Sequence, residues 1–220
     1  QRIVGEVGDR RFLAEAVDGN DKESVKSLIK KYGIDLVMDA ALPFMTNTIF
    51  DAALEGDANY MNMGVWCVPK DEPDCYGLGK ECYKEFMADY NFSRQDDWEK
   101  KDRLAVIGMG IEPGTIDVFA RFAADHLFDE LWTIDVKDGG NVENPNGSKD
   151  DVVFGFSVWT MLDECMNPCV TWYHDKGFVC DEPLSDPEEF VFPEGIGPIK
   201  LYKIEHEEPV FMPRKLAGKG

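Results

Sequence analysis

The chain has 220 residues, 44% of them hydrophobic, which is enough for one large domain or two small ones. Its 43 acidic residues against 23 basic give a formal net charge of -20, a field that repels nucleic acid and anionic membrane surfaces, so neither is expected as a partner. No apolar run approaches the roughly 20 residues of a membrane-spanning helix, and the opening "QRIVGEVGDRR" lacks the apolar core of a signal peptide.

In chain order, "FLAEAVD" (12–18) reads as a strand ending on an acid. "NDKESVKSLIKKYG" then predicts a helix capped by Asn20 or Asp21, with Val25, Leu28 and Ile29 as its apolar stripe and Gly33 as its stop. "IDLVMDAALP" is short, apolar and mostly unalternating, the pattern of a strand buried on both faces. "MTNTIFDAALEGD" reads as a second helix and "ANYMNMG" as a third strand. Strand, helix, strand, helix, strand with short connections is a parallel α/β layout.

From about Val65 to Asp102 the sequence turns irregular and charged, with a loop at "CVPKDEPDCYG" and a helix expected over "KECYKEFMADY". "LAVIGMG" is the next strand, and at least four parallel strands are expected from 12–110, with 105–110 joining that sheet. A further strand is expected in "ELWTIDVKDGG". The segments "CVTWYHDKGFVCDEP", turning at Asp175–Gly177, and "PIKLYKIEHEEP" then predict an antiparallel sheet. The fold class is therefore α/β: a partial Rossmann-type parallel sheet over residues 1–114, followed over 115–220 by an α+β domain with a mainly antiparallel sheet.

The six cysteines, at 67, 75, 82, 165, 169 and 180, form no C-x-x-C pair, and the histidines at 126, 174 and 206 are not spaced to complete a zinc site. No metal is expected, and reduced thiols in a cytoplasmic protein are the simplest account. Cys165 and Cys169, four apart, would share a helix face as packing residues.

"AVIGMGIEPGTIDVFARF" (105–122) runs strand, glycine turn, helix, the order of a dinucleotide fingerprint. Asp135, about 20 residues on, stands where a ribose-binding acid belongs. Against that reading, Pro113 takes the place of the third glycine, and Glu112 puts a carboxylate where the pyrophosphate should sit. The strand also comes late in the order. The turn is better read as the exit from a nucleotide-binding sheet, lining the nicotinamide and substrate side of a cleft.

Taken together, the runs 12–64 and 94–140 and the tail "EFVFPEGIGPIKLYKIEHEEPVFMPR" resemble the saccharopine dehydrogenase family, with its lysine 6-dehydrogenase-like and carboxynorspermidine dehydrogenase-like members. That family opens with a strand and a G-x-G-x-x-G turn that this chain lacks, so "QRIVGEVGDRR" is expected to lie past the second strand of that fold and the chain to be a fragment short at both ends. The resemblance implies NAD- or NADP-dependent oxidation of an amino acid or opine-type secondary amine, or the reverse reduction of an imine. It also implies a homodimer acting on a small amine or amino-acid substrate.

On the same resemblance, Asp18 would meet the adenosine half of the cofactor, or else serve as a helix cap. Ala40, Ala41, Leu42 and Pro43 would bring backbone close to the dinucleotide, and Met109 and Gly110 would pass beside the nicotinamide. His206 is the candidate proton donor with Glu207 as its orienting carboxylate, and Glu112 could bind a substrate ammonium, with Asp138 lining the pocket. Two other functions stay open: a non-catalytic relative acting as a binding or assembly module, and a dinucleotide or nucleotide-sugar protein using Gly108–Gly114 as its own fingerprint.

Overall fold

Asp21 folds its carboxylate onto the backbone N–H groups of Glu23 and Ser24, and this cap opens helix α1 (Lys22–Tyr32). Gly33, left-handed at φ 59°, closes it. In the computed structural model, which describes residues 12–71, 75–140, 144–148 and 151–218, Val25 and Ile29 of α1 turn inward onto helix α2 (Pro43–Glu55). Both helices pack with a three-stranded parallel sheet in the order β1 (Leu36–Asp39), β2 (Asn59–Asn62), β5 (Ala105–Val106). Phe50 of α2 is 1% exposed and stacks against Tyr60 of β2 and Trp98 of helix α4 (Gln95–Lys100), with ring centroids 5.2 and 4.9 Å away. Burial of a ring of this size contributes about 1.5–3 kcal/mol.

A second apolar cluster joins residues distant in sequence. Strands β3 (Val68–Pro69) and β4 (Tyr83–Glu85) pair antiparallel, with a 3-10 turn, Gly79–Cys82, before β4. Cys82, Tyr83, Phe86 and Met87 pack there with Val170 and Cys180 of the hairpin β6 (Cys169–Tyr173) and β7 (Gly177–Asp181). Val210 of the short helix α7 (Glu208–Phe211) completes the cluster. Helix α3 (Asp89–Ser93) leads from this cluster into α4. Helix α5 (Thr115–His126) packs Ala124 against Met212 and Leu216, the latter on helix α8 (Pro213–Leu216). Helix α6 (Val158–Met166) precedes the first hairpin, and a second hairpin pairs β8 (Glu188–Phe192) with β9 (Gly197–Leu201).

The predicted mix of a parallel sheet and later antiparallel hairpins is present, and the turn at Asp175–Gly177 forms as expected, with Gly177 at φ 73°. Several elements differ. Residues 12–18 form no strand: Phe12, Leu13 and Val17 are exposed, and no strand pairs with them among the described residues. The parallel sheet therefore has three described strands rather than the four or more expected. Among the described residues strand β1 is an edge, with Leu36 50% and Met38 62% exposed, in place of the expected burial on both faces.

"KECYKEFMADY" is a 3-10 turn and strand instead of a helix, because the pairing of β4 with β3 and the packing of Cys82, Tyr83, Phe86 and Met87 override its helix-like spacing. "ELWTIDVKDGG" is irregular, with Trp132 88% exposed, so Asp135 ends no strand. Cys165 and Cys169 share no helix face, since α6 ends at Met166 and Cys169 starts β6. Cys75 and Cys82 are disulfide-bonded, which corrects the expectation of reduced thiols at that pair; Cys67, Cys165, Cys169 and Cys180 are free. The reading of residues 1–11 as lying past a second strand falls outside the described residues. No described helix is long and apolar enough to cross a membrane.

Candidate functional site

Asn62, the last residue of β2 and 1% exposed, organises the carboxyl edge of the parallel sheet. Its side-chain carbonyl accepts the Gly108 N–H at 2.9 Å and its backbone carbonyl accepts the Met109 N–H at 2.7 Å. Its side-chain N–H2 has no hydrogen-bond partner among the described residues. The glycine turn beyond β5 is fastened within the protein as well. Gly110 N–H is donated to Pro113 carbonyl at 2.7 Å, and Gly114 N–H to the Asp117 carboxylate at 2.8 Å. A Cβ at Gly114 would lie 2.5 Å from the Gly110 carbonyl, and one at Gly108 2.5 Å from the Phe211 ring, so glycine is required at both by close approach as well as by positive φ.

A phosphate cradle needs backbone N–H groups aimed outward. Here the N–H groups of Gly108, Met109, Gly110 and Gly114 are all engaged internally, and a carboxylate occupies the start of α5. The turn does not have the geometry of a pyrophosphate cradle. Met109 and Gly110 can offer a ligand their surface, not their amides.

The other loop at this edge follows β1. Asp39 is 4% exposed and accepts the Tyr60 hydroxyl at 2.7 Å and the Ala41 N–H at 2.9 Å, which holds the bend through Ala40, Ala41 and Leu42. Leu42 is the N-cap of α2 and Pro43 its first residue; no side chain caps this end and no acid stands in its first turn. A 13-residue helix that begins uncapped presents an electropositive end, which fits an anionic group of a dinucleotide. Asp18 lines an open groove with Val17, Glu23, Ser24 and Leu28, and the adjoining Gly19 lies against Met45 in the first turn of α2. Asp18 accepts the Asn20 N–H at 2.9 Å in a local turn, while the cap of α1 is Asp21.

A buried acidic cluster completes the edge. Glu207 Oε1 accepts the Val65 N–H just past β2 at 3.0 Å, and Glu207 Oε2 lies 3.3 Å from His206 Nδ1. Glu208 is closer, with Oε2 2.5 Å from the same nitrogen. Glu205 accepts the Cys67 thiol at 3.2 Å and the Asn167 side-chain amide at 3.0 Å. A small pocket is lined by Pro43 at the start of α2, by Val65, Trp66 and Cys67, and by residues of α6 and of the 205–208 segment, among them Glu164, Glu205 and Glu207. The α2 loop and the acidic tail thus meet in one place.

Charge and burial compete there. Burial opposes a charge on His206, but the Glu208 hydrogen bond and the fields of Glu207, Glu208 and Glu164 outweigh it and push the imidazole up to about 10. Burial raises Glu164 to about 7 and Glu207 to about 7, although His206 pulls both the other way. Glu205 and Cys67 are also raised, each mainly by burial. Glu112 is raised by burial and by nearby Asp138, with His206 opposing, and Asp117 is raised mainly by burial. His206 is therefore the shared counter-charge of carboxylates from the 108–117 turn, α6 and the 205–208 segment.

Of the residues singled out in the sequence, His206, Glu207 and Glu112 fall within one electrostatic cluster. Pro43 shares a pocket with Glu207, and Met109 is bonded to the end of β2. Asp18 lines the open groove beside α1. Missed were Asn62, Asp117, Glu164, Glu205 and Glu208. The pair Glu207-Glu208 was visible as "HEE", but nothing in the string says which carboxylate takes the imidazole.

Residues 1–106 match the family model of the saccharopine dehydrogenase NADP binding domain. The chain is 28% identical over 201 residues to a carboxynorspermidine synthase of Vibrio alginolyticus, covering 90% of this chain and 45% of that protein. It is 24% identical over 210 residues to a carboxyaminopropylagmatine dehydrogenase of a Synechocystis species, covering 94% of this chain and 48% of that one. The chain thus spans about half the length of the curated relatives it matches. In fold it is similar to the apo saccharopine dehydrogenase (L-Glu forming) of Saccharomyces cerevisiae, with a TM-score of 0.51 over 88% of this chain and 39% of that one, at 14% identity.

Proposed function

From residues 1–106, which carry the match to the saccharopine dehydrogenase NADP-binding domain, we propose that the protein containing this chain is an NADP-dependent oxidoreductase of a C–N bond. Its substrate class is a small amine or amino acid in the opine or polyamine style, in line with the names of its relatives. Residues 1–114 are assigned to cofactor binding and 115–220 to the substrate side. The observation that carries the reading is the meeting of the uncapped α2 loop with a buried acidic cluster centred on His206.

Ala40, Ala41, Leu42 and Pro43 would hold the dinucleotide at the electropositive start of α2, with Met109 and Gly110 against the nicotinamide. When bound, NADP supplies or accepts the hydride. The protein's part is alignment and one proton. His206, held charged by the carboxylates around it, would give a proton to the substrate nitrogen in the reductive direction and would take one from it in the oxidative direction. Glu112, half-buried, and the carboxylates around His206 favour a cationic substrate over an anionic one, since an ammonium replaces hydration with paired charge.

The test is consumption of NADPH by the full-length protein with a diamine plus a carbonyl acid. Turnover that requires both compounds supports the reading. Cofactor binding without turnover on any amine would favour a binding module instead.

A further inference from the structure

The sequence assigns the orientation of His206 to Glu207, but the geometry gives the closer contact to its neighbour. Glu208 opens α7, is 3% exposed, and brings Oε2 to 2.5 Å from His206 Nδ1. Glu207 stands 3.3 Å from that nitrogen and has its other oxygen on the Val65 N–H. Glu208 Oε1 is buried without a hydrogen-bond partner among the described residues. A carboxylate left half-satisfied in the interior costs free energy, so its retained bond to the imidazole carries the weight of its placement.

We propose that Glu208 is the positioning residue of the His206 acid: its bond to Nδ1 fixes the ring and leaves Nε2 as the nitrogen that presents the proton to substrate. The same logic orients the base in a catalytic triad, where the buried carboxylate sets tautomer and direction without itself exchanging the proton. Glu207 is left to tie the site to the sheet through Val65. The charged groups facing the imidazole are Glu207 and Glu208 on its own segment, with Glu205 beside them, Glu164 from α6, and Glu112 and Asp117 from the turn and α5. The chemical consequence rests on the amine-oxidoreductase reading above; the placement of the ring does not.

Two readouts in the full-length protein separate these. Nitrogen NMR of the His206 ring across pH reports its protonation and tautomer whether or not the protein turns over an amine. Glu208→Gln should move loss of the ring proton to lower pH by at least about one unit. It should also lower kcat at least about tenfold, and by no more than removal of His206 itself, with KM for the amine within about twofold. Glu208→Asp should restore part of both, and it serves if the Gln variant does not fold. A His206 ring that titrates identically in wild type and in a folded Glu208 variant would overturn the proposal. A wild type that turns over no amine would fail the function reading alone, and the NMR result would still decide Glu208.

Discussion

Phe50, Tyr60 and Trp98 meet ring to ring between α2, β2 and α4, while His206 lies among Glu112, Glu164, Glu207 and Glu208 at the carboxyl edge of the same sheet. The first region buries carbon and is held together by leaving water. The second buries charge, which opposes folding unless each group finds a partner, and here carboxylates outnumber the imidazole they share. Free energy is gained in one region and spent in the other, as expected where a stable scaffold carries a reactive site.

The contrast can be broken from either side. The largest effect should come from the charged region. His206→Asn in the full-length protein should lower kcat about 10²–10⁴-fold, the range for general acid–base catalysis, and leave NADPH affinity nearly unchanged. Steady-state kinetics with a calorimetric titration of cofactor checks both halves, and near-normal turnover would remove His206 from the chemistry.

In the apolar region, Phe50→Ala should cost about 3–5 kcal/mol of stability, because Tyr60 and Trp98 lose the ring between them and a cavity is left. Denaturant unfolding would measure it. A loss under about 1 kcal/mol would mean that the packing around Phe50 can collapse, and that this region is less well filled than its ring contacts imply.

A smaller effect follows from pH. The His206 imidazole is raised from 6.5 to about 10 in the fold, and Glu164 and Glu207 are raised from 4.5 to about 7. In each window the folded chain binds more protons than the unfolded one, so stability falls as pH rises. The imidazole's contribution is complete below about 6.5 and lost through about 10, while the carboxyl penalty grows from about 4.5 to 7. Thermal unfolding should therefore occur at lower temperature at pH 9 than at pH 5, and Glu207→Gln should flatten the lower part of that slope. A melting temperature that holds or rises from pH 5 to 9 would contradict the charge assignments.

The same contrast explains how much could be read from the sequence. Helix α1 was legible because Val25, Ile29, the Asp21 cap and the Gly33 stop are local signals. β2 and the 169–181 hairpin were legible for the same reason. The strands expected at 12–18 and in 130–140 do not form because a strand needs a neighbour, and pattern alone does not show that none pairs with them among the described residues. The helix expected at 80–90 was lost to contacts with β3 and with the hairpin about a hundred residues away. His206, Glu207 and Glu112 could be picked out as chemistry-bearing residues. Their companions Glu164 and Asn62 could not, because those become neighbours only through the fold.

The most direct test of the central claim is a structure of the full-length protein with NADP and an amine bound. The account predicts the dinucleotide along residues 40–43 at the start of α2, the nicotinamide against Met109 and Gly110, and the substrate nitrogen within hydrogen-bond reach of His206 Nε2. A pyrophosphate seated on the amides of Gly108–Gly114, or an amine bound away from His206, would contradict it.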